Sequence, residues 1–282
     1  MNLKDILEAL NNTPEEQLTL NTQEVLDHLN QAETEEADRQ ILLTHVKTNP
    51  ISSLPLFDPK DIEGDLAAVF SLMLDASWSM EGWEETTYQA VQDVYVAYRK
   101  SAFYKANPKG LLFGINSFNE GVKNLLPYMH YRLLGQFKEE MYQVEGLTDI
   151  PNALRHQVSD LLIQGKHLQS YGKEVRHCGL FVTDGHDTCN SASIPETRKF
   201  LDKHLHTQPN MDIAFLATHE GAIQVGKDLG FILGDNMVYI AQGKLNTEEF
   251  QQKLRHAVKL ASEIHLDDIS KYYTSDDGEM GM

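Results

Sequence analysis

The chain has 282 residues, with 42 Asp and Glu against 24 Lys and Arg and a formal net charge of −18 at pH 7. Hydrophobic residues make up 41% and charged residues 23%, an ordinary globular composition that excludes disorder throughout. So large an acidic excess, with the basic residues scattered, disfavours nucleic acid and anionic membrane surfaces; a metal cation or a basic protein patch fits it better.

Residues 1–60 read as short acidic helices followed by a linker. Thr13-Pro14-Glu15-Glu16 supplies a cap, a proline at the first helical position and a glutamate at the third. Asn21-Thr22-Gln23-Glu24 repeats that logic ahead of Val25, Leu26 and Leu29. Leu42, Leu43 and Val46 give a third helix its apolar stripe. Pro50, Pro55 and Pro59 then break the pattern near 48–62. The opening MNLKDILEALNNTPEEQLTL lacks the basic start and long apolar stretch of a secretory signal. No apolar run reaches the ~18–20 residues of a membrane helix. Two cysteines, Cys178 and Cys189, do not make a disulfide scaffold, and a reducing cytoplasm is the expected setting.

Residues 64–265 alternate apolar runs with amphipathic segments. Leu66–Leu74 is nearly continuous apolar sequence ending at Asp75, the pattern of a strand buried on both faces of a parallel sheet. Glu84–Tyr104 follows with Tyr88, Val91, Tyr95, Tyr98 and Ala102 on one helical face. Leu111–Phe118 is the next strand, and Asn119-Glu120-Gly121 turns it into Val122–Leu126, an antiparallel hairpin at the sheet edge. Helices are expected at 131–143 and 151–164. The strand Cys178–Thr183 ends at Asp184. A helix near 195–206, the strand Asp212–Ala217, a helix near 221–229, the strand Met237–Ala241 and the helix Thr247–Ile264 complete the series. Strands alternating with helices predict a doubly wound α/β domain with a mostly parallel sheet and one antiparallel edge strand. Residues 266–282 read as an acidic, flexible tail.

Ligands of open α/β sheets bind beyond the carboxyl ends of the strands. Three polar clusters fall there: Asp75-Ala76-Ser77-Trp78-Ser79-Met80, Leu147-Thr148-Asp149-Ile150-Pro151 and Val182-Thr183-Asp184-Gly185. Asp75, Ser77 and Ser79 alternate, so an extended loop aims all three one way. Carboxylates and hydroxyls without a soft ligand suit Mg²⁺, Mn²⁺ or Ca²⁺ and not zinc. Asp149 reads as a helix cap or a group behind the metal ligands, His186 as a surface histidine, and Asp187 and Thr188 equally as extending the third loop's hydrogen bonding or as solvated loop residues. The twelve histidines show no zinc spacing.

Asp-x-Ser-x-Ser, a distant Thr and a distant Asp-Gly resemble the metal-ion-dependent adhesion site of von Willebrand factor A (vWA) domains. The resemblance runs over about residues 64–265, through "FSLMLDASWSM", "GLTDIPNAL" and "LFVTDGHDT". It implies Asp75, Ser77, Ser79, Thr148 and Asp184 as the metal site. In that family the two serines usually touch the metal, and an Asp or Glu from a protein partner commonly fills an open position. The implied function is metal-dependent protein–protein interaction without catalysis. The resemblance also implies, among intracellular members, adaptors for AAA+ ATPases of the MoxR or chelatase type. Trp78 departs from the family, which often has Gly between the serines.

The enzyme readings are weaker. No Gly-x-Gly-x-x-Gly follows the first strand, and neither a P-loop nor a Gly-x-Ser-x-Gly elbow occurs. A Mg²⁺-dependent phosphatase of haloacid dehalogenase type also places Asp after an apolar strand. It wants a carboxylate two residues on, where this chain has Ser77. A vWA-like scaffold with a vestigial site is the remaining alternative.

Overall fold

The computed structural model describes residues 25–27, 29–30, 35–48, 57–62, 64–100, 109–130, 137–185, 188–189, 193–206, 208–233 and 236–239. The expected caps at 13–16 and 21–24, the helix Thr247–Ile264, the tail, His186 and Asp187 lie outside these residues.

The elements alternate as the sequence patterning predicts. They are α1 (Glu36–Thr48), β1 (Leu66–Asp75), α2 (Glu84–Lys100), β2 (Leu111–Phe118), β3 (Val122–His130) and α3 (Ile150–Ser170). β4 (Glu174–Thr183), α4 (Ile194–Leu201), β5 (Met211–Ala217), α5 (Glu220–Asp228) and β6 (Met237–Tyr239) follow. α4 runs on through a π-helical turn at Asp202–His206. The strands form one sheet in the order β3-β2-β1-β4-β5-β6. All neighbouring pairs are parallel except β2 and β3, the expected edge hairpin.

β1 lies between β2 and β4, which explains its continuous apolar sequence. Phe70, Leu72 and Leu74 face Ala90, Val91 and Val94 of α2 on one side. Val69 and Met73 face Leu154, Val158 and Leu161 of α3 on the other. A strand with both faces covered has no use for alternation. Strand order reverses direction about β1 and β4, so the crevice beyond their carboxyl ends is the topological switch point.

α3 sets the height of one loop of that crevice. Asp149 caps it, accepting from Asn152 N at 3.2 Å, and Pro151 sits in its first turn. Deep in the core, Gln157 Nε2 donates to Ser71 O of β1 at 3.0 Å and to Leu180 O of β4 at 3.3 Å. These bonds tie the helix to the two central strands. On the outer side of α3, Ile163 joins a small core with Val25, Leu29 and α1's Leu42, Leu43 and Val46.

Several expected bounds change: β3 runs on past Leu126 to His130, and β4 begins at Glu174, four residues before Cys178. α3 continues past 164 to Ser170 instead of stopping before Gly165. The described part of the expected 131–143 helix is irregular apart from one 3-10 turn at Glu139–Met141. Phe137 and Tyr142 are buried in the α2-side core, and Glu145 N donates to Ala76 O at 2.8 Å. Burying those rings while pairing with the loop after β1 requires a spread-out chain, which overrides local helical preference. Among the described residues, no helix is long and apolar enough to cross a membrane.

Candidate metal centre

β1 ends in Asp75, which is fully buried, and the chain turns at once. Ser77 N donates to Asp75 Oδ1 at 2.9 Å, and Trp78–Met80 make a single 3-10 turn. That turn sets Ser77 Oγ and Ser79 Oγ 3.0 Å apart. Across the switch point, Thr183 Oγ1 of β4 donates to Asp75 Oδ2 at 2.5 Å, and Ser79 Oγ donates to Asp184 Oδ1 at 2.7 Å.

Thr148 arrives from the loop before α3. Thr148 N donates to Thr188 Oγ1 at 2.9 Å, while Thr188 N and Cys189 N donate back to Thr148 O at 2.9 and 3.1 Å. Asp149 N donates to Asn119 O at 3.0 Å, tying this loop to the β2–β3 turn. Gly185 is the point of closest approach. A Cβ there would stand 3.0 Å from Thr148 Oγ1 and 3.5 Å from Asp75 Oδ2. A side chain would therefore wedge apart the hydroxyl and the carboxylate. Asp75, Ser77, Ser79, Thr148 and Asp184 thus meet at one end of the sheet, drawn from three loops.

The electrostatics are strained. Burial pushes Asp75 up from 3.8 to about 6, against the bonds from Ser77 and Thr183 that favour its charged form; the Asp184 charge adds to the rise. Burial raises Asp184 as well, opposed chiefly by Ser79. Asp184 Oδ2 is buried with no hydrogen-bond partner. Two buried carboxylates, one with an orphaned oxygen, surrounded by hydroxyls, form a donor set that fits a hard divalent cation.

The sequence pattern did not single out the residues that hold this cluster in shape. Thr183 is one; as the last residue of an apolar strand its hydroxyl was the available signal. Tyr142 is another. Its hydroxyl donates to Asp75 O, and burial together with the Asp75 charge pushes that hydroxyl's pKa up. Trp83 is half-buried and lines, with Met80, Thr87 and Val182, a small cavity beneath Asp184. Trp78 is 62% exposed and Leu147 48% exposed, the two apolar side chains on the rim. Trp78 N donates to Gly146 O at 3.0 Å, so the loops that carry them are joined.

A second polar cluster lies apart, at the seam of α1 and α3. His45, His156 and Asp160 each offer a ligand atom there, all within 4.8 Å of one another.

No protein-family model matches the chain, and no curated protein matches it in sequence. Solved structures do. Proximal thread matrix protein 1 from the mussel byssus (crystal form 2) is 16% identical over 71% of this chain and 49% of that one, with a TM-score of 0.51. A structure of the same mussel protein with a zinc-occupied MIDAS motif is 16% identical over 70% of this chain and 46% of that one, at a TM-score of 0.46. The SpRpn10 VWA domain is 16% identical over 67% of this chain and 95% of that domain, at 0.46. The chain spans about half the length of the mussel protein. At these identities the likeness is one of fold alone.

Proposed function

We propose that this chain is a cation-dependent protein-interaction module, with Mg²⁺, Mn²⁺ or Ca²⁺ held by Asp75, Ser77, Ser79, Thr148 and Asp184. The observation that carries the reading is the orphaned, buried Asp184 Oδ2 beside a second buried carboxylate whose pKa burial pushes up. Such a pair is unfavourable without a positive charge and favourable with one. Hydroxyl ligands are neutral, so a bound cation keeps positive charge with which to attract a carboxylate of a partner.

The rim supports a protein as that partner. Trp78 and Leu147 present exposed apolar area beside the site, and Trp is among the residue types enriched at the energetic centres of protein interfaces. An AAA+ ATPase of MoxR or chelatase type is the partner class that the vWA resemblance brings with it, and a reducing cytoplasm is the matching setting. The role is binding rather than catalysis. Two residues beyond Asp75 stands Ser77, a hydroxyl where the phosphatase alternative wants a carboxylate.

Calorimetry tests the site. The metal-free wild type is expected to take up one Mg²⁺ weakly, and an Asp75→Ala/Ser77→Ala variant none. Superimposable titration curves would sink the assignment. Turnover of a phosphate ester that Asp75→Asn abolishes would replace the binding module with the phosphatase.

A further inference from the structure

α1 packs along α3, and the contact is not purely apolar. Beside Leu42, Leu43 and Val46, His45 extends from α1 to Asp160, with Nε2 2.8 Å from Oδ1. His156, one turn before Asp160 on α3, sets its Nε2 3.3 Å from Oδ2 of the same carboxylate. The two imidazoles meet edge to face with centroids 4.4 Å apart. Asp160 has no solvent exposure, and the histidine side chains are 11% and 8% exposed. From below, Asn116 Nδ2 reaches Asp160 Oδ2 at 3.4 Å, and Asn124 Nδ2 donates to Asn116 Oδ1 at 2.8 Å.

We propose that His45, His156 and Asp160 form a second metal site, for Zn²⁺ or a similar transition metal, that clamps α1 onto α3. Two imidazole nitrogens and one carboxylate oxygen are a donor set for a borderline-soft cation, unlike the all-oxygen set at the sheet edge. An i,i+4 pair on one helix face is the spacing at which two side chains share one ion. The third donor comes from another helix, so the ion cross-links two elements far apart in sequence. Burial supplies the dry surroundings in which such bonds are strong, and the Asn116–Asn124 chain fixes the carboxylate's orientation. Without metal the two Nε2–H groups hold Asp160 by hydrogen bonds; an arriving ion takes the place of those two protons, which move to Nδ1 or to solvent, so the seam's geometry is set before the ion binds. This inference is independent of the cation site at Asp75.

The test uses the full chain, stripped with chelator and titrated with Co²⁺, then with Zn²⁺ in competition. Tetrahedral Co²⁺ with nitrogen ligands absorbs strongly in the visible, whereas an octahedral oxygen site absorbs weakly. We expect one intense Co²⁺ spectrum, displaced by Zn²⁺, in the wild type and equally in Asp75→Ala/Ser77→Ala. His45→Gln keeps an N–H for Asp160 and removes the ligand. It should fold, retain its circular dichroism, and bind Co²⁺ more than ~100-fold more weakly. His156→Ala should behave likewise. Should the wild type give only a weak spectrum that Asp75→Ala/Ser77→Ala abolishes, or should His45→Gln leave an intense one unchanged, the seam is a hydrogen-bonded clasp and the proposal fails.

Discussion

At pH 7 in EDTA, Asp75→Asn is expected to be more stable than the wild type, by up to about 3 kcal/mol. Burial raises Asp75 from 3.8 to about 6, roughly 2 units at ~1.4 kcal/mol each. A carboxyl raised in the folded state favours folding while protonated. Its contribution is full below pH ~4 and is lost as pH climbs through about 6. The wild type's deficit against the variant should therefore be near zero at pH 4 and complete at pH 7. Asn fits the same place: its oxygen can accept from Ser77 N, and its amide can donate to the Thr183 hydroxyl. Mg²⁺ should close the gap, because only the wild type gains from binding: about 2.7 kcal/mol at a hundred times Kd nearly cancels the deficit, and about 4.1 kcal/mol at a thousand times Kd reverses the order. Urea titrations at the two pH values, with EDTA or Mg²⁺, measure all four quantities. An advantage for the variant that is the same at pH 4 and pH 7 would show that Asp75 is not the titrating group.

The neighbouring residue should behave in the opposite way. Leu74 is 2% exposed, packed in the core on the α2 side of the sheet. Leu74→Ala leaves a cavity that a parallel sheet flanked by helices closes poorly, and is expected to cost ~2–5 kcal/mol at every pH, with or without cation. Thr148→Ala, on a loop held by its own backbone, should cost within ~1 kcal/mol while weakening Mg²⁺ uptake. Denaturant midpoints and calorimetric affinities separate the two kinds of loss. A cost for Leu74→Ala below that for Thr148→Ala would contradict the packing described.

Which features were legible in the sequence follows from how locally each is encoded. β1 announces itself because ten residues covered on both faces leave no room for polar alternation. Asp75, Ser77 and Ser79 are a contiguous motif at a strand end, so they could be read together. The expected end of α3 at 164 fell short. Gly165 by local rules weakens a helix, yet α3 runs through it and packs so close to β4 that a Cβ there would stand 1.9 Å from His177 Nε2. Helix and strand come that close only where the side chain is missing. The segment at Phe137–Glu145 follows the positions of its buried rings, which depend on α2 and β1 and not on its own periodicity. The α1–α3 seam was missed: the histidines alone show no zinc spacing, and the i,i+4 partner of His156 on its helix is a carboxylate, Asp160. The third member, His45, lies 115 residues from Asp160, and no spacing rule spans that distance.

The order in which β1 and β4 pair has a kinetic corollary. They are adjacent in the sheet, yet the Asp75 and Thr183 side chains that meet across them are 108 residues apart. The cluster cannot exist in a chain whose β4 has not yet inserted, since two of its three walls belong to α3's leading loop and β4's trailing loop. Closing so long a segment costs entropy before its contacts return anything, which slows folding. On the proposed reading, a cation at Asp75 recognises only the finished sheet and stabilises contacts that the folding transition state lacks. It therefore acts as a latch: refolding proceeds at the same rate with or without Mg²⁺, and unfolding slows in proportion to occupancy.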